Sequence, residues 1–207
     1  MTTAVIYSTT DDWNVNSGNN SGEGYPAVRA GVNFSQDAQF SMLYSCGQEF
    51  QGGANYHASQ MFLSFDTSAI DITQTVLSAT LSLVAASVYA TSEGLQARVL
   101  NWGAPPVTTS DFSPGATFAT LPLVGSLAYS AMTSGTRFDL TDSGLAAQIV
   151  KGGTTRLVLC SDLFAAGTAP TTAPNLLQLR SGTNTTTTAP RLTVTYAVTS
   201  SCLLGSD

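Results

Sequence analysis

The sequence predicts an all-β domain, an antiparallel two-sheet β-sandwich closed by one short helix. Period-two alternation of apolar and polar residues recurs along the chain, as in strands with one buried and one wet face. About ten such runs are separated by clusters of Gly, Pro, Asn and Ser, the spacing of a sandwich or barrel. Charged residues make up only 10% of the 207 residues, against roughly 25% in average proteins. The 29 threonines, with Ser, Asn, Gln and Gly, must therefore wet the surface.

The runs can be taken in order. Ala4–Ser8 comes first, and in Ala27–Phe34 the residues Val28, Ala30, Val32 and Phe34 share a face. Gln60–Asp66 follows, and then Val76–Ala85, whose inward set is Leu77, Ala79, Leu81, Leu83 and Ala85. Leu95–Trp102, Thr117–Leu121, Thr136–Leu140, Thr155–Cys160 and Leu176–Ser181 are shorter strand candidates. Arg191–Val198 closes the series with Leu192, Val194, Tyr196 and Val198 on one face and Arg191, Thr193 and Thr195 on the other. The helix is expected after Asp142 or Ser143, either of which can cap it, with Leu145 and Ile149 on one face and Gly152 as the left-handed stop. Its expected role is to close one end of the sandwich. Asp11–Gly24 and Gly167–Pro174 read as long loops.

Composition excludes several functions. A hydrophobic fraction of 43% over this length supports a folded core, which would hide roughly 70% of the unfolded surface. The net charge is −6 and Lys151 is the single lysine, so no nucleic acid is expected as a partner. No window approaches ~18 uninterrupted apolar residues, so no membrane partner is expected either. Met1 is followed by Thr2, Thr3, Ala4 and Val5, and the first basic residue is Arg29, so no secretory signal is read. Cys46, Cys160 and Cys202 are odd in number and far apart, which reads as three reduced thiols. Cys202 is the best placed of them for an intermolecular contact.

Catalytic chemistry finds little material. His57 is the single histidine, and no zinc, nucleophile-elbow or phosphate-loop motif occurs. No catalytic residue is assigned and the chain is read as non-enzymatic. Asp11 and Asp12 are the one adjoining acidic pair. They read as a turn, or as a site for a structural Ca²⁺, which takes loop carboxylates and carbonyls; no other cofactor is expected. Trp13, Tyr25 and Tyr56 are the candidate glycan-binding residues, because aromatic faces in polar loops can stack on sugar rings. Trp102 ends an apolar run and reads as packing instead.

Several stretches resemble one family. Met61-Phe62-Leu63-Ser64-Phe65-Asp66-Thr67-Ser68-Ala69-Ile70, the strand Leu77–Leu83, Ala97–Gly103, Phe138–Thr141, Thr154–Ser161 and Ala189–Tyr196 are similar, in order and spacing, to the disaggregatase-related repeat domains. The match runs from about residue 56 to 196. It implies a jelly roll of two antiparallel sheets, similar to carbohydrate-binding modules, and carries over no catalytic residue. Similar chains also stand alone as virion proteins of tailed bacteriophages. The expected organisation is an N-terminal arm, first strands and docking region over 1–55, a jelly-roll core over 56–198 and a tail over 199–207. The expected function is that of a virion structural protein on head, neck or tail, made in the host cytoplasm, with other virion proteins and surface glycans as partners. The alternative is an extracellular polysaccharide-binding module. Scarce charge leaves little repulsion between copies, so a homo-oligomer, a trimer, is expected with residues 1–55 or 200–207 at the contact.

Overall fold

In the computed structural model most of the alternating runs become strands of one curled antiparallel network. The structure describes residues 1–9, 12–18, 22–37, 43–50, 52–53, 55–89, 93–103, 105–141, 143–171, 176–182 and 187–198. Among them lie β1 (Thr2–Tyr7), β2 (Trp13–Ser17), β3 (Ser35–Asp37), β4 (Leu43–Phe50), β5 (Tyr56–Asp66) and β6 (Thr75–Val88). Then come β7 (Gly94–Val99), β8 (Leu123–Ala128), β9 (Arg137–Thr141), β10 (Thr154–Ser161), β11 (Leu176–Arg180) and β12 (Arg191–Ala197). The helices are α1 (Tyr25–Ala30), α2 (Gly115–Thr120), α3 (Ser143–Ala147) and α4 (Asp162–Ala166). The strands pair in the order β1-β12-β6-β11-β4-β5-β10-β7-β8, with β2 also on β5, β3 on β2 and β9 on β6. The first 55 residues thus supply four strands of the network.

Two cores follow from the pleat. Met61, Leu63 and Phe65 of β5 and Leu157 and Leu159 of β10 face the larger one, together with Leu81, Leu83, Leu140, Leu192 and Val194. The alternate residues Ala58, Phe62, Val158 and Cys160 face a second cluster with Val15, Val28, Phe118 and Phe164. α1, α2 and α4 therefore cover the back of β5 and β10. Strands buried on both faces lose their polar alternation, and β5 is buried without interruption from Ala58 to Phe65. Full burial of one such side chain contributes roughly 1.5–3 kcal/mol.

The expected inward set is buried at Leu81, Leu83, Leu192, Val194 and Tyr196, but Val198, one residue past the end of β12, is exposed, and Leu77 is 46% exposed. Thr195 pairs with Ser78 whereas Tyr196 pairs with Val76, so Leu77 is the extra residue of a β-bulge. A bulge resets which side of the strand faces inward. Val76 takes the core-facing place instead.

Helix content exceeds expectation. Ala27–Phe34, read as a strand, has its first half, Ala27–Ala30, in α1: Pro26 stands at the helix start and Gly31, at φ 95°, ends it. Pro fits the first turn, and a left-handed stop favours Gly. Thr117–Leu121 likewise lies largely in α2 rather than in a strand. Five residues are too few for period two to exclude period 3.6. α4 is a further helix beyond the one expected; Ser161 caps it and Gly167 ends it at φ 76°. The expected helix is present as α3, with Leu145 and Ile149 buried. It stops at Ala147, well before Gly152. Asp142 lies outside the described residues, as do Asp11, Cys202 and the tail 199–207. The loop expected over Asp11–Gly24 contains β2, whose Trp13–Ser17 pair with Phe62–Ala58 of β5.

Candidate functional site

α1 places Tyr25 over β4. Its ring is buried and its hydroxyl donates to Gln48 Oε1 at 2.9 Å. Gln48 in turn donates to the Thr168 carbonyl at 2.8 Å. Burial pushes the Tyr25 phenol up to about 12, against a smaller opposing pull from Arg29. Tyr56 begins β5, and its ring lies 5.6 Å from Tyr25 and 5.0 Å from Phe50. The structure thus brings Tyr25 and Tyr56 together. Trp13 stands apart, opposite Phe62, six residues and roughly 20 Å along β5 from Tyr56. It is half-buried against the second core, with no hydrogen-bond partner for its indole N–H among the described residues. Beside Tyr25 a cleft of about 310 Å³ runs between α1 and α2, walled by Pro26, Ala30, Pro114 and Ala116. Arg29 lines it, but its guanidinium is held by the Phe164 and Ala165 carbonyls at 2.9 Å each.

Asp12 is fully buried. Its Oδ2 accepts from Ser8 Oγ at 2.8 Å and from the Gly182 amide at 2.7 Å, while its carbonyl accepts from Tyr44 Oη at 2.8 Å. A β-carbon at Gly182 would lie 2.3 Å from the Thr9 carbonyl, so the junction requires glycine. This carboxylate ties the ends of β1, β2 and β11 together. Among the described residues no group of three or more His, Cys, Asp or Glu could hold a metal ion. His57 lies on β5, with Nδ1 3.6 Å from Glu49 Oε1. Cys46 and Cys160 are free and buried, and burial pushes both thiols up.

A second cleft, of about 450 Å³, was not legible in the sequence. It opens where β7 begins, β8 ends and β10 turns into α4, and its lining includes Glu93, Gly94, Gln96, Ser126, Ser130 and Asp162. Ser161 accepts the Phe164 amide at 3.1 Å, which starts α4 and fixes Asp162 in its first turn. Asp162 Oδ1 accepts the Gly94 amide at 2.8 Å and the Leu163 amide at 2.7 Å. A β-carbon at position 94 would lie 3.0 Å from Asp162 Oδ2. Glycine there lets the strand approach the carboxylate.

Glu93 is 2% exposed. Burial pushes its carboxyl up to about 8; the nearby Ser161 hydroxyl opposes the shift and the Asp162 charge adds to it. Ser161 is close enough to favour the anion, yet among the described residues neither Glu93 oxygen gains a well-aligned hydrogen bond. At neutral pH the group is mostly the uncharged acid. Acid–base catalysis needs such a group within about 2.6–3.2 Å of the reacting atom, and the Glu93 oxygens are closed to solvent. What the cleft presents is Asp162, Gln96 and two exposed serines, a hydrogen-bonding set suited to hydroxyl groups. Ser161-Asp162 followed by Gly167 is the sequence signal for α4. Nothing in the sequence joins it to Glu93-Gly94. No protein-family model and no curated protein matches the chain.

Proposed function

We propose that the chain is a non-enzymatic virion structural protein of a tailed bacteriophage, exposed on head, neck or tail, whose sheet folds over as a two-layered jelly roll and whose polar cleft retains glycans weakly. The observation that supports this reading is the use made of charge. Arg98 donates to the Ala119 and Leu121 carbonyls, Arg137 to those of Thr187 and Ala189, and Lys151 to those of Ile72 and Gln74. Arg29 does the same for α4. Asp66, Asp71 and Asp111 accept from amides of their own turns. Charges used as internal staples suit a rigid attachment domain better than a reactive centre. The jelly roll is supported by the larger core, which gathers β6, β9 and β12 with β5, β7 and β10. The virion setting is supported by the resemblance to stand-alone phage chains.

The test has two arms. Purified native particles are analysed by mass spectrometry and imaging, and the chain is expected among their surface proteins. Its absence there would overturn the virion reading. Particles or purified protein are then applied to glycan arrays, with Asp162→Asn and Ser126→Ala as variants. Weak retention made useful by many copies is expected, and it should fall in both variants. The same cleft would serve a polysaccharide-binding module, and retention by chain found outside any particle would favour that alternative.

A further inference from the structure

β1 ends the run of paired strands. One side pairs with β12 from Thr2↔Tyr196 to Tyr7↔Arg191 without a bulge; along the other side no strand pairs with Thr2–Tyr7 among the described residues, although Ser8, just past β1, bridges Phe65 of β5. Such an edge offers a row of unpaired amides and carbonyls, which proteins usually guard with charge, proline, bulges or brevity. The segment Thr-Thr-Ala-Val-Ile-Tyr has no charge, no proline and no glycine. The other margins differ. β8, at the far end, has a register shift against β7 and leans on β9, and β3 has three residues. Val5 is 50% and Tyr7 38% exposed. Ala4 and Ile6, which face the larger core, are only partly covered.

We propose that β1 pairs antiparallel with β1 of a second copy about a two-fold axis, joining the two sheets edge to edge. A strand paired antiparallel with itself is self-complementary, which is what an isologous interface requires. Thr3, Val5 and Tyr7 share one side of the strand, so the pair brings hydroxyl, β-branched and aromatic side chains together. No charge of β1 opposes its own image despite the chain's net −6. The partner strand would cover the open flank of the core at Ala4 and Ile6. Two-fold pairing gives a dimer in place of the expected trimer. The surface of one strand edge falls short of the roughly 800 Å² per partner of a standard stable interface, so the dimer forms with rising concentration. This inference does not rest on the functional reading.

The test is sedimentation of the full chain between about 1 and 100 μM. A shift toward twice the 21.4 kDa chain mass is expected. Val5→Lys, at an exposed position, should remain monomeric throughout with an unchanged circular dichroism spectrum. Leu77→Lys, exposed on β6 two strands from the edge, should still dimerise. Amide hydrogen exchange of wild type offers a second readout: protection within β1 should rise with protein concentration. A wild type that stays monomeric, a trimer, a Val5→Lys dimer, or β1 exchange independent of concentration would each overturn the proposal.

Discussion

Glu93 makes the fold sensitive to alkali within the neutral range. Its carboxyl is held at about 8 in the folded protein against an ordinary 4.5. The folded state therefore keeps a proton that the unfolded state has already released, and stability falls as pH rises between those values. Stability from this group is complete below 4.5 and is lost as pH passes through 8. From pH 5 to pH 8.5 the loss comes to about 4 kcal/mol at 1.36 kcal/mol per pH unit. A domain of this size has roughly 5–15 kcal/mol in total. The melting temperature should drop by roughly 8–16 °C over that interval, at 2–4 °C per kcal/mol. Asp66 and Asp71 are held below their usual range by hydroxyl and amide donors of Ser68 and Thr73, so their contribution is lost only in acid. Burial raises the Cys46 and Cys160 thiols from 9.0, so they matter only above that interval. The assay is urea or thermal denaturation of wild type and Glu93→Gln at pH 5 and pH 8.5, and the difference between the two proteins isolates this residue. The two should be close at pH 5, with the variant about 4 kcal/mol more stable at pH 8.5. Equal pH dependence in both proteins would refute the reasoning.

Three further outcomes are expected. Leu81→Ala should cost about 2–5 kcal/mol in chemical denaturation, whereas Leu77→Ser on the bulge should change stability by less than about 0.5 kcal/mol; similar costs would contradict the register shift. Gly94→Ala drives a methyl to 3.0 Å from Asp162 Oδ2 and 3.2 Å from the Leu127 carbonyl, so melting should fall and glycan retention with it. Trp13→Ala uncovers part of the second core and should cost about 1–3 kcal/mol. An unchanged melting temperature together with lost glycan retention would make Trp13 a binding platform after all.

The strands that sequence pattern found are those with one wet face or a long apolar run. Thr193 and Thr195 between Leu192, Val194 and Tyr196 leave no doubt about β12. β2 is hidden because most of its buried side chains are polar: Asn14 donates to the Ser45 and Gln60 carbonyls, and Ser17 to those of Val28 and Val32. With Val15 as the one fully buried apolar residue among Asn14, Asn16 and Ser17, the alternation of Trp13 and Val15 with asparagine is too short to stand out from a polar loop. Leu77 misled for a different reason, because a bulge leaves no compositional mark when the residues around it are Val, Leu and Ser. The short helices were missed because five or six residues cannot display a 3.6-residue period. Of the candidate residues, Trp13, Tyr25 and Tyr56 stand out in the sequence as aromatics of polar stretches, but nothing there foretells that Tyr25 is buried in α1 beside Tyr56. The cleft of Glu93 and Asp162 depends on β7 and β10 lying side by side, with Ser161 opposite Leu95, and that pairing is a property of the sheet rather than of any local stretch.

The neighbouring positions of β1 and β12 have a use in engineering. Thr2 lies across from Tyr196, so the two ends of the described chain lie one strand spacing, roughly 4.8 Å, apart. A host protein could carry residues 2–197 as an insertion in a surface loop without stretching its own backbone, because proximity of the ends is what such grafts demand. The same adjacency permits circular permutants. Joining residues 197 and 2 through a few glycines and reopening the chain at Gly135, a turn residue at φ 79° with open space around it, would leave every strand pair intact.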